Sequence, residues 1–278
     1  MIRKVFSFQN ENFSIEGQDI SLVLSFSEDG FNVIAYSPPT KEIVWVEEYF
    51  ADTACKTELL KLDVINFLND YISGLNLLKE LKIVFNTESY TPVPVEVFNI
   101  ESKSKLLFFN EKNIDQSADY IENNTISLGE VKFQLLYSVH SWQRSLSDGL
   151  STSFQQYNDV CLFFQSVLSS QMKSGIFVNN QQHYFDVCIL KDGNLVLMNR
   201  FSYNNARDFC YFLTGATHTC ELIAQDETVH ISGLILAESE IVVLLKRYFR
   251  DIEYLCPPGI QEYSGLNLHC YYSQLSIL

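Results

Sequence analysis

The 278-residue chain is 47% apolar and 14% aromatic, enough to bury the cores of one large domain or two ordinary ones. Its formal net charge of -15, from 34 acidic and 19 basic residues, repels phosphate backbones and anionic lipid, so the expected partners include neither nucleic acid nor membrane. No apolar run nears the roughly 20 residues that span a bilayer. Val5–Phe8 after Arg3 and Lys4 is too short for a signal peptide, and seven cysteines without a Cys-x-x-Cys pair read as reduced core thiols, so a cytoplasmic protein is expected.

In chain order, Ile20–Phe26, Phe31–Tyr36 and Ile43–Phe50 are apolar or alternating runs divided by Ser27-Glu28-Asp29-Gly30 and Ser37-Pro38-Pro39-Thr40. They predict a three-stranded meander. Thr57–Ile72 carries Leu60, Val64, Phe67, Leu68, Tyr71 and Ile72 at helical spacing, with Gly74 placed for a left-handed cap, and Leu81–Phe85 reads as a strand. From Tyr90 to Leu136 the pattern is irregular. Pro92 and Pro94 break it, Lys103–Phe109 fits a strand and Asp115–Thr125 is polar, which marks an inserted or rearranged segment. Ser138–Leu150 is predicted helical, and Val160–Phe164 a strand leading to a short helix near Ser166.

The second half repeats the first. Gly175–Asn179, Tyr184–Leu190 and Leu195–Tyr203 predict another meander, and Asn204 or Asn205 caps a helix bearing Phe209, Phe212, Leu213, Ala216 and Cys220. Thr228–Gly233 follows as a strand, Ile241–Tyr248 as a helix and Ile252–Leu255 as a last strand. Phe31-Asn32-Val33-Ile34-Ala35 is echoed by Phe185-Asp186-Val187-Cys188-Ile189 at the same step of the series. The order strand, strand, strand, helix, strand, helix, strand, read twice, predicts an α/β protein with mixed sheets. It divides into two lobes, residues 1–172 and 173–278, with a cleft between them.

That order is similar to the actin-like ATPase superfamily, of ribonuclease H-like fold, which includes actin, sugar kinases, heat-shock chaperones and bacterial pilus assembly proteins. More closely, "LVLMNRFSYNNARDFCYFL" (Leu195–Leu213), "VHISGLI" (Val229–Ile235) and "LLKRYFRDIEYL" (Leu244–Leu255) resemble the bacterial family known as domain of unknown function 3822. The resemblance implies the actin-like fold and no established activity.

The superfamily's working members bind phosphate and Mg²⁺ at the first turn of each half, typically through Asp-x-Gly followed by Thr or Ser. The corresponding first turn here is Ser27-Glu28-Asp29-Gly30, with the carboxylate and glycine adjacent and no Thr after them. It reads either as a hairpin or as a phosphate loop. The second phosphate turn falls at Asn179-Asn180-Gln181-Gln182, which has neither glycine nor carboxylate, and the adenosine loop at Ser232-Gly233-Leu234 keeps one glycine. Asp192-Gly193 belongs one connection later and reads as a hairpin turn.

Walker, Gly-x-Ser-x-Gly and His-Glu-x-x-His motifs are absent. His218, Cys220 and His230, or His269 and Cys270, do not match a compact metal-ligand spacing. Glu47-Glu48 and Asp226-Glu227 are adjacent carboxylates expected on opposite faces or in solvent. Arg200, Arg207 and Asp208 near the second-half helix start fit an anion site or, more simply, a cap that complements the helix dipole. The expected function is a non-catalytic scaffold that binds another protein through surface aromatics and the Tyr90–Leu136 segment, without a cofactor. The alternative is a divergent ATPase or sugar-kinase-like protein that binds ATP with magnesium in the cleft through Asp29, Gly30 and Gly233. A third possibility is a small-molecule binder that uses the cleft without phosphate.

Overall fold

The computed structural model describes residues 2–13, 19–27, 30–51, 58–75, 78–87, 89–110, 119–129, 131–141 and 149–278. β2 (Ile20–Ser27), β3 (Gly30–Tyr36) and β4 (Ile43–Ala51) form an antiparallel meander, and α1 (Glu58–Ser73) crosses over. β5 (Leu78–Phe85) and β9 (Gln155–Asn158) then join parallel to β2, giving the order β4-β3-β2-β5-β9. The second sheet repeats this order. β10 (Gly175–Asn180), β11 (Tyr184–Lys191) and β12 (Asn194–Ser202) form its meander. α4 (Ala206–Thr219) leads to β13 (Thr228–Gly233) and α5 (Glu240–Leu245) to β14 (Asp251–Tyr254), in the order β12-β11-β10-β13-β14. The predicted mixed α/β architecture is present in both halves.

β2 is buried from Ile20 to Phe26, Ser21 and Ser25 included, because both sheet faces are covered. Leu22, Leu24 and Phe26 pack toward α1, while Val23 points into a core shared with the C-terminal segment. The echoed pentapeptides lie in β3 and β11, where Phe31 and Phe185 each anchor the core of their own sheet. Asp192 and Gly193, with φ of 53° and 79°, turn the β11–β12 hairpin between Lys191 and Asn194, as a two-residue turn with positive φ at both positions requires.

Several segments differ from expectation. β1 (Ile2–Gln9), unforeseen in the sequence, pairs antiparallel with β4 and forms an edge of the first sheet. Gly74 donates to Asp70 O but is not among the glycines with positive φ, so the left-handed cap is not formed there. The prolines of the irregular segment lie inside β6 (Tyr90–Pro94), which tolerates them as an edge strand of a separate three-stranded sheet with β7 (Asp119–Leu128) and β8 (Val131–His140). Lys103–Phe109 is helical, as α2 (Lys103–Asn110), and Leu107 packs on Val93, Ile121 and Leu136. Ser138–His140 ends β8 rather than starting a helix, and Trp142 and Leu146 lie outside the described residues.

Val160–Phe164 belongs to α3 (Asp159–Ser169), not to a strand. This helix lies between the three-stranded sheet and the second large sheet, in a core of Phe163, Phe164, Val167, Phe177, Cys188 and Leu135. Its first six residues are all buried and only Gln165 and Ser169 are exposed, and a short continuous apolar run does not separate helix from strand in sequence. The exchange is mutual. α3 follows the first sheet and packs on the second, while the C-terminal segment, including α6 (Tyr272–Leu275), follows the second and packs on the first through Leu266, Leu268, Tyr271 and Leu275. Ser166 Oγ donates to Tyr272 Oη at 2.8 Å where the two helices meet. Among the described residues, no helix is long and apolar enough to cross a membrane.

Candidate functional site

The parallel strands β10 and β13 end side by side, with Asn179 opposite Ser232 and Asn180 opposite Gly233. All four are buried, and their polar groups bond within the protein. Asn179 Nδ2 donates to Asp159 Oδ2 at 3.3 Å, and Ser232 Oγ to Asn179 Oδ1 at 3.3 Å. Asn180 Nδ2 donates to Leu234 O at 2.6 Å, and Leu234 N returns a bond to Asn180 O at 2.8 Å. The turn after β10 closes through Gln181 N to Tyr184 O at 2.8 Å. The Tyr203 hydroxyl seals it, 2.7 Å from Gln181 O and 3.0 Å from Asn180 Oδ1.

The three predicted nucleotide contacts fare differently. Asp29 lies outside the described residues. Gly30 begins β3, and a Cβ there would stand 1.9 Å from Tyr49 O, so the close approach of β4 requires the glycine. Gly233 has φ +86°, and a Cβ there would stand 2.0 Å from Asn180 O. Gly30 and Gly233 therefore serve strand contacts within their own sheets.

The same junction holds a charged cluster that the sequence reading missed in part. Asp159, the first residue of α3, follows the capping Asn158, whose side chain accepts from Cys161 N. Its carboxylate is buried and Oδ1 accepts no hydrogen bond. Burial first, then the Asp186 charge, push its pKa up to about 6, against the opposing effects of Ser273, Arg200 and Asn179. Asp186, wholly buried, is forked by Arg200 at 2.7 and 2.9 Å. Arg200 also donates to Thr87 O and lies over Tyr184, 3.8 Å from the ring centroid. Burial opposes its charge, and Asp186 more than restores it, holding the guanidinium protonated. Asn158-Asp159 ahead of the apolar run Val160–Phe164 is the one sequence signal for Asp159, and it reads equally as a helix start.

Arg200 therefore faces Asp186 rather than an external anion. Asn205 caps α4 by accepting from Arg207 N and Asp208 N, while Asp208 Oδ2 accepts from Asn204 N at 3.1 Å and Asn205 Nδ2 at 3.0 Å. This is the capping role. His230 Nδ1 lies 3.2 Å from Glu253, stacked on Phe177, and His269 Nε2 contacts Ile235 O at 2.8 Å. Among the described residues, no three His, Cys, Asp or Glu side chains converge as metal ligands would. Glu47 and Glu48 point to opposite faces of β4, Glu47 to Tyr71 and Glu48 to Tyr271.

A family model described as "Protein of unknown function (DUF3822)" matches residues 10–252. Comparison with curated proteins gives no significant match. Among solved structures, a Bacteroides thetaiotaomicron protein with actin-like ATPase fold and unknown function is similar at 17% identity and a TM-score of 0.68, covering 86% of this chain and 92% of that one. A chain of the PilM–PilN type IV pilus biogenesis complex is similar at 8% identity and a TM-score of 0.60, covering 92% and 96%. The fold is that of the actin-like ATPases.

Proposed function

We propose that this chain, which belongs to the family described as Protein of unknown function (DUF3822), is a non-catalytic actin-like scaffold that acts by binding another protein. The observation that carries the reading is the latch on the β10–β11 turn. Where a phosphate would need free backbone amides and an open approach, Tyr203 and Leu234 occupy Asn180 and the Gln181 carbonyl. Gly30 and Gly233, pressed against Tyr49 O and Asn180 O, support the same reading, because among the described residues neither glycine is open to a phosphate. The fold is shared with PilM, known from a complex with PilN, which supports a role through protein contacts. Titration of ATP with Mg²⁺, followed by calorimetry and thermal shift, tests the reading. No response at millimolar ATP is expected, and a shift that vanishes in Asp29→Ala would overturn it.

A second reading, a divergent ATPase or sugar-kinase-like protein binding ATP with magnesium, draws support from Asp159. Its buried, unpartnered oxygen leaves one carboxylate at the lobe junction able to take water or a cation. Under that reading, Asp159→Asn abolishes the ATP-dependent shift.

A further inference from the structure

On the opposite side of the first sheet's meander, a groove of about 520 Å³ runs between β1, β4 and the end of α1. Strand alternation puts Trp45, Glu47 and Tyr49 on one face of β4, and α1 supplies Phe67 and Tyr71, four residues apart on one face of the helix. Tyr49 and Phe67 meet edge to face at 5.0 Å between centroids. The Glu47 carboxylate lies among these rings with its side chain 14% exposed. Its Oε2 accepts from Tyr49 at 2.6 Å and Tyr71 at 2.8 Å, and Trp45 Nε1 donates to Tyr71 Oη at 2.7 Å. Its Oε1 is taken by Lys4 Nζ, which also lies 5.7 Å from the Tyr49 ring centroid.

A carboxylate fixed by neutral hydroxyls and walled by aromatic rings recognises an organic ammonium. The charge pairs with the carboxylate, and the rings receive the alkyl stem and the cation's field. Burial raises the Glu47 pKa, but the Lys4, Tyr49 and Tyr71 donors outweigh it and keep the group ionised. The occupant seen is the most easily displaced kind. The Lys4 side chain is 46% exposed, on an edge strand, beside the register shift between Lys4 and Phe6.

We propose that the groove is a lysine-recognition site, filled in this structure by Lys4 and taken in exchange by a lysine side chain of a protein partner. The proposal rests on the scaffold reading and adds the chemistry of the partner's contact. Lys4 itself demonstrates that a lysine reaches Glu47 along the rings, and a net charge of -15 favours a basic partner.

Trp45 is a reporter within the site, and Trp142→Phe leaves it as the chain's only tryptophan. The test is a Trp45 fluorescence titration of the full chain with Nα-acetyl-lysine methylamide and with the uncharged norleucine analogue. Saturable binding of the lysine probe is expected. Lys4→Ala should tighten it about fivefold, and Glu47→Gln, which keeps the tyrosine contacts, should weaken it about tenfold or more. The norleucine analogue should give no saturation. If melting shows that Lys4→Ala disturbs the β1–β4 pairing, Lys4→Gln replaces it. No saturation with the folded Lys4 variant, or equal binding of the norleucine analogue, would overturn the proposal. Choline binding more tightly than the lysine probe would overturn the protein-partner assignment. ATP binding would sink the scaffold reading without altering this titration, so the two failures are distinguishable.

Discussion

Arg200 binds both carboxylate oxygens of Asp186, its direct cross-strand neighbour in the β11–β12 ladder, at 2.7 and 2.9 Å. Its third contact, Thr87 O, lies just past β5, so one guanidinium ties the second sheet to the loop leaving the first. A buried ion pair is weak evidence of net stability, but breaking one side strands a charge. Asp186→Asn is therefore expected to cost about 3–5 kcal/mol, and the double replacement Asp186→Leu with Arg200→Met much less. Arg200→Lys should also destabilise, because an ammonium cannot reproduce the fork. Urea unfolding measures all three. A cost below about 1 kcal/mol for Asp186→Asn would remove the pair from the list of elements holding the sheets together.

Asp159 predicts a specific pH dependence. Its folded-state pKa of about 6 exceeds the ordinary 3.8, so the folded protein holds the proton more tightly than the unfolded chain. The resulting contribution to stability is complete below about pH 4, is lost as pH rises from about 4 to 6, and stays lost above that. Asp159→Asn removes the buried charge, keeps an acceptor for Asn179, and is expected to stabilise the protein at pH 7 by about 1–3 kcal/mol. At pH 4 the two proteins should differ little. Urea midpoints at both pH values check this, and an equal difference at each would show that Asp159 does not titrate as described.

The glycines give a nucleotide-free test of their role. A Cβ at Gly30 would meet Tyr49 O at 1.9 Å and one at Gly233 would meet Asn180 O at 2.0 Å, whereas Gly193 has nothing within 4 Å and only its φ of +79° to lose. Gly30→Ala and Gly233→Ala are expected to cost about 3 kcal/mol or more, and Gly193→Ala about 1 kcal/mol. Thermal melts without nucleotide should show this order. If Gly30→Ala and Gly233→Ala melt like the wild type, these glycines are kept for something other than strand contact.

The parts of the fold legible in sequence were those with a visible period or a turn signal. Both meanders, α1, α4 and the Asp192-Gly193 hairpin had one, and the echoed Phe31 and Phe185 set the register between halves. α3 and β6 were misread because their context overrides local pattern. Asp159–Ser169 opens with the continuous buried run Val160–Phe164, which reads as a strand, and its exposed side, Gln165 and Ser169, comes only after that run, while Pro92 and Pro94 sit where an edge strand needs no donor. At the candidate site, the lack of a glycine or carboxylate in Asn179–Gln182 is readable from residue types. The partners of those residues are not, since Asn179 and Asp159, or Asn180 and Tyr203, meet only when distant strands and helices are assembled. The Glu47 groove joins Lys4, Trp45 and Tyr71 from three elements, a combination no local motif records.

The Tyr203 latch separates a vestigial site from a locked one. Tyr203→Phe removes the hydroxyl shared by Asn180 Oδ1 and Gln181 O while leaving its ring packed on Phe185 and Phe209. Losing one such hydroxyl is expected to cost about 1–2 kcal/mol, measured by urea unfolding. If the latch is all that blocks phosphate, opening it should create a thermal shift with Mg-ATP that the wild type lacks. The scaffold reading expects none, because Gly233 stays pressed against Asn180 O and Asn180 Nδ2 stays bound to Leu234 O, both independent of the hydroxyl. A shift gained by Tyr203→Phe and lost again in Tyr203→Phe with Asp159→Asn would instead mark an ATP site held closed by one side chain.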